Sequence, residues 1–600
     1  MLLEGTAAGA PPELGVNALR VLEARCLRRD ADGRVVETPD ELWWRVARAV
    51  AEAERCFGDG GTHAEWSDRF HELLRSLAFL PNSPALANAG TPLGQLAACF
   101  VLPIHDSTAS IFDALRGMAL IQKTGGGTGF DFSKLRPRGE AVTSTGGSAS
   151  GPVAFMRVFD AATASIKQGG RRRGANMGVL DVDHPDVIEF IDEKLDGTSL
   201  ANFNVSVAVD DAFMEAAIAD EHYDLLHPRS RRRVARLRAR DVLDRIARAA
   251  WACGDPGLLF RDAIERANPL PDLGRIEATN PCGEVPLLPY ESCFLGSIDL
   301  ARMLTRDGAC VDWPRLADVV RLSVRFLDDA LEVSRAPLPE IDRATKGSRK
   351  IGLGVMGFAE LLLHLGVSYA SPDAISWADR LMAFIAREAL EASRELAEAR
   401  GTFPYWPSSV LAARGERVRN ATRLSIAPTG TIAIVAGTSG GIEPLFALAY
   451  RRRHTLGGEP LVEVNPVFAR FAERRLGSRA RAVLERVVAE GHLGRVTEVP
   501  ESVRALFVTA TEVEPRQHLL VQQAFQRHVD NAVSKTVNLP QSATPNDVAD
   551  AYVCAWWLGL KGVTVYRSGS KENQVLELGV GEEPIAREYF TRCDPEGCGP

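Results

Sequence analysis

The strongest constraint on the fold is an alternation. From about residue 95 to residue 567, short apolar strands take turns with helices. That order reads as α/β, a sheet covered by helices. Within it, Asn204 to Val209 alternates like a half-buried strand, and Leu316, Val319, Val320, Val324, Leu327 and Leu331 share one helical stripe. A helix ending near Arg400 meets Gly401, a suitable C-cap. Ahead of this region, Thr38-Pro39-Asp40-Glu41 spells a capping box with proline at the first helical position. Leu42, Val46 and Val50 then carry a helix to about Gly58, and a second helix is expected from Trp66 to Leu77. Residues 1–94 therefore read as a small helical unit, 95–567 as the α/β body, and 568–600 as a mobile tail.

Composition excludes several classes. At 600 residues and 46% apolar content the chain can bury a large core and divide into more than one unit. A net charge of −8 argues against nonspecific nucleic-acid binding as the main task. Ten cysteines over this length are too few for a disulfide scaffold. Met1 to Leu14 lacks a positive start followed by an apolar run, and no stretch approaches a membrane span. The expectation is a cytoplasmic protein with reduced thiols, away from membranes, in which any disulfide is more readily catalytic than structural.

Several stretches could carry chemistry. Asn280-Pro281-Cys282-Gly283-Glu284 sets a thiol between a carboxamide and a carboxylate. If the segment is extended, all three side chains point one way, offering a sulfur nucleophile or hydrogen donor, a base and an orienting partner, while Pro281 and Gly283 suit a loop tip rather than a regular element. Taken alone, the motif equally describes a turn with a buried cysteine. Two more sulfurs, Cys293 and the distant Cys99, complete a candidate set. Leu424-Ser425-Ile426 is a short strand leading into Ala427-Pro428-Thr429-Gly430-Thr431, either an anion site or an ordinary strand-to-helix turn. Asn82 and Ser83 could add polar contacts to the same phosphates. Thr124 to Phe130, with Gly126 and Gly127, lets backbone approach a ligand closely but is neither a Walker loop nor a dinucleotide fingerprint. Gln168 to Met177 joins glycines to Arg171, Arg172 and Arg173, suited to phosphate or to solvent. Cys593 and Cys598 form either half a zinc site or, better fitting an accessible tail, a redox dithiol. No complete set of metal ligands is expected.

Assembled, these stretches resemble the large catalytic subunit of ribonucleotide reductases, most closely the adenosylcobalamin-dependent class. The resemblance runs through FLPNSPALANAG from Phe79, ACFVLP around Cys99, GGGTGFDFSKLRPRG from Gly125 and GGRRRGANM from Gly169. It continues through Asn280 to Glu284, ESCFLGSIDL around Cys293, Ala427 to Thr431, DNAVSKTVNLP from Asp530 and KGVTVYR from Lys561. It implies an α/β barrel of ten strands in two parallel five-stranded halves, with a finger loop carrying Cys282 to the centre. By the same match, Cys282 becomes a thiyl radical, Glu284 takes the 3′-hydroxyl proton and Asn280 holds the hydroxyls. Cys99 and Cys293 reduce the ribose and end as a disulfide, which Cys593 and Cys598 re-reduce at the expense of a thioredoxin-like protein. Substrate phosphates would meet Asn82, Ser83, Ala98, Gly126, Gly127 and Ala427 to Thr431. Ala98 departs from the hydroxyl residue many relatives carry there. A deoxynucleotide effector would meet Gln168, Arg171, Arg172, Arg173 and Asn176 at a homodimer interface. Two competing readings are a reductase needing a separate radical-generating subunit and an inactive nucleotide-binding regulator. Val563-Thr564-Val565-Tyr566 lacks the tyrosine pair of the first, and all of Cys99, Cys282, Glu284 and Cys293 are present against the second.

Overall fold

The structure, a computed structural model, describes residues 12–58, 61–142, 146–168, 172–456, 459–494, 496–570 and 576–578. The chain forms two compact units: Met1–Pro444 with Thr511–Glu572, and Leu445–Ala510 with Asn573–Pro600. Compactness thus divides the chain differently from the boundary expected at residue 94. Taken by itself, the smaller unit has strands Ala449–Leu456 and Glu459–Val464 as an antiparallel pair, joined by Leu576–Leu578. Its helices Pro466–Leu476 and Ala480–Glu490 bury an apolar face, with Phe468 and Phe471 against Phe507 at 5.2 and 5.3 Å.

Local rules hold in the N-terminal helices. The Thr38 hydroxyl accepts from Glu41 N at 3.3 Å while Thr38 N donates to the Glu41 carboxylate at 2.7 Å. Helix Pro39–Ala51 follows, with Leu42, Val46 and Val50 fully buried, each worth about 1.5–3 kcal/mol. The helix stops earlier than Gly58. Glu54–Phe57 is a separate turn, ended by Gly58 in the left-handed region at φ 66°. A second capping box, Thr62 with Glu65, starts helix His63–Arg75. Phe70 of that helix meets Phe326 edge-on at 5.2 Å, tying it to helix Trp313–Val333.

The larger unit is a closed ring. In its first half, strands β1 (Cys99–Val101), β2 (Gly127–Asp131), β3 (Asn176–Asp181), β4 (Phe203–Val209) and β5 (Gly257–Phe260) pair in that order, all parallel. In the second half, β6 (Ser292–Asp299) and β7 (Ile351–Met356) are parallel, as are β8 (Thr536–Leu539) and β9 (Gly562–Arg567). The expected strand at 424–426 makes only two bridges, Leu353 to Leu424 and Ile426 to Val533, both parallel. Those bridges carry β7 across to the start of β8. The halves meet antiparallel, β6 on β1 and β9 on β5. The result is the expected barrel of two five-membered parallel halves, with Phe79–Pro81 laid along β6. Every residue of β6 and β7 is buried, as strands covered on both faces require.

Candidate active site

Inside the ring lies a hairpin. Ala278 pairs with Leu287 and Thr279 with Pro286, leaving 280–285 as its tip. A ring closed around a loop has no room for side chains where the two backbones touch. A Cβ on Gly129 of β2 would sit 1.8 Å from the Thr279 carbonyl oxygen, and one on Gly127 would sit 2.9 Å from the Pro281 ring. Both halves of the barrel grip the tip. Asn204 Nδ2 donates to Pro281 O at 2.7 Å from the first half. Ser425 Oγ and Ala532 N donate to Glu284 O at 2.9 Å each from the second. Within the tip, Asn280 Oδ1 accepts from Val285 N at 3.0 Å and Asn280 O accepts from Gly283 N at 3.0 Å.

The tip is a tight turn rather than an extended strand, because Gly283 takes φ 81°. Strand alternation therefore does not apply, and the side chains separate: Asn280 and Glu284 are each 2% exposed, whereas Cys282 is exposed. Beside them, strand register sets Cys99 of β1 directly across from Cys293 of β6. Both are buried, at 4% and 0% exposure, and neither is in a disulfide. Asn280 Nδ2 donates to Cys99 Sγ at 3.1 Å.

Burial governs the electrostatics. It pushes the Cys99 thiol far up, and the charges of Glu284, Cys293 and Cys282 add to the shift. Burial likewise raises Cys293, opposed by Lys350 and assisted by Glu284. Both sulfurs therefore hold their protons at neutral pH. Burial lifts Glu284 to about 7, with the Asn280 hydrogen bond pulling the other way. One of its carboxylate oxygens, Oε2, is buried without a hydrogen-bond partner. An acceptor left open in a dry site normally has a use. Four reactive groups thus meet: an exposed thiol, two protonated thiols across a strand pair, and a carboxylate poised near neutrality with one oxygen open. This set can move hydrogen, protons and two electrons.

The expected phosphate contacts are distributed unevenly. Ala98 and Ala427 pack around the apolar cluster that holds Cys99 and Cys293. Pro428 and Gly430 are exposed, and no atom lies within 4 Å of a Cβ position at Gly430. Thr429 is held at φ 53° with its hydroxyl accepting from Gly441 N at 2.7 Å. Thr431 precedes the short helix Ile432–Ala436. Asn82 is already engaged, capping helix Ser83–Asn88 through Ala85 N and donating to Leu295 O. Ser83 opens that helix. Gly126 and Gly127 lie close against protein groups. Phe100 and Ile121 fill the space beside the first and Pro281 beside the second, and their N–H groups bond to Ile121 O and Ala98 O.

At the expected effector loop, Lys167–Gln168 and Arg172–Arg173 form a small antiparallel pair. Arg171, and the tail thiols Cys593 and Cys598, lie outside the described residues. Asn176 is fully buried. Its carboxamide accepts from Gln122 and Thr128 and donates to Thr163 and to Asn202 O, so it anchors the loop's base from within the barrel. His184 offers no open nitrogen: one faces Leu135 O and the other accepts from Asp186 N. No group of His, Cys, Asp and Glu among the described residues could hold a metal ion. Two features escape sequence reading. The buried Lys350–Glu291 pair, at 2.6 Å, supplies the positive charge felt by Cys293. Arg25 donates to Thr431 Oγ1 at 2.9 Å across 406 residues.

Comparison with known proteins agrees with this geometry. Residues 97–418 and 409–566 match the model of the ribonucleotide reductase barrel domain, and residues 12–94 match that of the ribonucleotide reductase all-alpha domain. A vitamin B12-dependent ribonucleoside-diphosphate reductase of Mycobacterium tuberculosis is 52% identical over 590 residues, covering 98% of this chain and 83% of that protein. One from Thermoplasma acidophilum is 46% identical, covering 95% and 81%. A class Id ribonucleotide reductase alpha subunit of Actinobacillus ureae superposes with a TM-score of 0.74 at 22% identity, over 93% of this chain and 97% of that one, a likeness of fold. With the finger loop, the facing thiols and these matches in place, the chain belongs to the ribonucleotide reductase large-subunit family.

Proposed function

We propose that this chain is a vitamin B12-dependent ribonucleoside-diphosphate reductase that makes 2′-deoxyribonucleotides by thiyl-radical chemistry. The observation that carries the reading is the open, buried Oε2 of Glu284 beside the Cys99–Cys293 pair, with exposed Cys282 at the same loop tip. Adenosylcobalamin suits this site because only the outermost of the three sulfurs needs to be reached by a bulky group; when bound, it supplies the one-electron step that takes the hydrogen atom from Cys282.

The chain's own residues do the rest. The Cys282 sulfur removes the ribose 3′ hydrogen atom. Glu284 accepts the 3′-hydroxyl proton, for which a carboxyl titrating near 7 is well matched. Cys99 or Cys293 donates a proton to the 2′-hydroxyl, which leaves as water; raised pKa values keep that proton available. The hydrogen of the other thiol goes to C2′ as the two sulfurs give up two electrons and become a disulfide, Glu284 returns its proton to the 3′ oxygen, and Cys282 returns its hydrogen to C3′. Asn280 holds the loop through Val285 and touches Cys99. We assign Cys593 and Cys598 to re-reduction by a thioredoxin-like donor, residues 168–177 to a deoxynucleotide effector, and the working assembly to a homodimer. The test is deoxyribonucleotide formation from each ribonucleoside diphosphate with adenosylcobalamin, a dithiol and no second protein. Product formed only on adding a metal-bearing subunit would overturn the cofactor assignment.

A further inference from the structure

The two thiols that face each other across β1 and β6 stand in different electrostatic settings. Phe294 of β6 pairs in parallel register with Ile351 of β7, and Cys293 and Lys350 each stand one place ahead of that pair. Partnered positions share a face of the sheet, so Lys350 lies beside Cys293. Gly352, the next position on that face, would hold a Cβ 3.3 Å from Cys293 Sγ. Lys350 is 1% exposed, and its ammonium meets the buried Glu291 carboxylate at 2.6 Å. Cys99 has a different neighbour, the neutral carboxamide of Asn280, which donates to its sulfur at 3.1 Å. A full cation stabilises a thiolate more than a neutral amide does. Burial raises both thiols; Lys350 is the next influence on Cys293 and draws it down, whereas Glu284 is the next on Cys99 and pushes it up. Cys293 is also the more deeply buried of the two.

We propose that Lys350 is a positioning residue for re-reduction: it makes Cys293 the sulfur that leaves, so that an incoming dithiol attacks Cys99. This rests on the reading of the two thiols as the redox pair of a ribonucleotide reductase. One thiolate of the dithiol bonds to Cys99 Sγ, the Cys99–Cys293 bond breaks, and Cys293 departs with the electron pair as a thiolate beside Lys350. The donor's second sulfur then attacks its first and releases Cys99. The donor ends as a disulfide, and its two protons end on Cys99 and Cys293. Exchange of this kind runs faster when the leaving sulfur forms the more stable thiolate.

The test opens the oxidised pair with a monothiol. Diamide joins Cys99 to Cys293 without turnover, 2-mercaptoethanol opens the bond, and an early acid quench with peptide mass spectrometry shows which cysteine carries the adduct. Cys99 is expected to carry it in about tenfold excess, and an equal or greater share on Cys293 overturns the proposal. Lys350→Met combined with Glu291→Gln removes both charges and keeps an acceptor for Leu288 N. That variant should be opened by dithiothreitol about tenfold more slowly, with its adduct ratio lowered about threefold or more. A lysine that only held the fold would lower thermal stability and leave the ratio as in the parent, which overturns the assignment. Should the variant fold poorly, the adduct ratio of the parent still decides the direction of attack. Deoxyribonucleotide formation is scored separately. Failure of diamide to join the two cysteines overturns the redox pair and the proposal with it, whereas a joined pair that takes its adduct on Cys293 overturns the proposal alone.

Discussion

The finger-loop site and the charged cluster beneath the N-terminal helices are both buried, and they are built in opposite ways. In the cluster the carboxylates face guanidinium groups, although Asp329 Oδ2 has no hydrogen-bond partner among the described residues. Glu54 receives both arms of Arg325, at 2.6 and 2.7 Å, and Arg400 at 2.9 Å. Asp328 accepts from Arg349 and Asn420 at 3.0 Å and lies within 3.4 Å of Arg419 and Arg400. Burial would raise the Asp328 carboxyl, but Arg349, Arg419 and Arg400 outweigh it and hold it below the usual range. Neighbouring Asp329 is pushed far up by burial, with Arg400 opposing the rise and Glu54 adding to it. At the finger loop no cation among the described residues balances Glu284, its pKa rises to about 7, and one oxygen has no partner among them. Facing cations fix the cluster in place, whereas a buried carboxyl without one is left ready to react.

Breaking the deficient site should remove function without touching the fold. Cys282→Ala should abolish product formation, and because the side chain is exposed its unfolding free energy should stay within about 0.5 kcal/mol of the parent. Turnover assays paired with denaturant titration check both halves, and substantial turnover would sink the radical assignment. Glu284→Gln should lower kcat by about 10²- to 10⁴-fold. In the parent, kcat/KM should fall on the acid side below about pH 7, and that limb should disappear in the variant's residual rate.

Breaking the cation-paired cluster should do the reverse. Arg400→Met leaves Glu54 and Asp328 short of a buried partner and should cost about 3–5 kcal/mol of stability. Activity per folded molecule should persist, as measured by rate against the folded fraction. The smallest effect sharpens the contrast. Glu284 titrates near 7 when folded against an ordinary 4.5, so between those values the folded state binds more protons. Its share of stability is fullest below about pH 4.5 and is lost as the pH rises towards 7, by at most about 3 kcal/mol. Glu284→Gln should therefore gain on the parent as pH rises from 5 to 8 in chemical denaturation. A constant difference would mean that the carboxyl is not desolvated.

What the sequence revealed follows the reach of its rules. Capping at Thr38, the stripe from Leu316 to Leu331 and strand Phe203–Val209 depend on neighbours within a few residues, and each appears where it is expected. The finger-loop motif was visible, and so was a loop tip from Pro281 and Gly283, but the placing of its side chains was not. That turn exposes Cys282 and buries Asn280 and Glu284, which period-two reasoning misses. The pairing of Cys99 with Cys293 depends on antiparallel register between the two halves, and Arg25 reaches Thr431 only because the whole ring brings them together. The smaller unit at 445–510 has the same apolar periodicities as its surroundings and no linker to announce it.

The glycine at 129 also bears on how the molecule can be assembled. Its α-carbon lies against the carbonyl of Thr279, so a finished ring has no clearance for the hairpin to slide in. Chain order removes the difficulty. The first half ends at Phe260, the hairpin occupies 278–287, and the second half begins at Ser292. A nascent chain can lay the hairpin on the concave face of an open half-sheet and then wrap the remaining strands around it. The last strand made, β9, closes the ring by pairing antiparallel with β5, Val563 on Leu258 and Gly562 on Leu259. Synthesis from the N-terminus thus delivers the reactive cysteine to its post before the wall behind it exists.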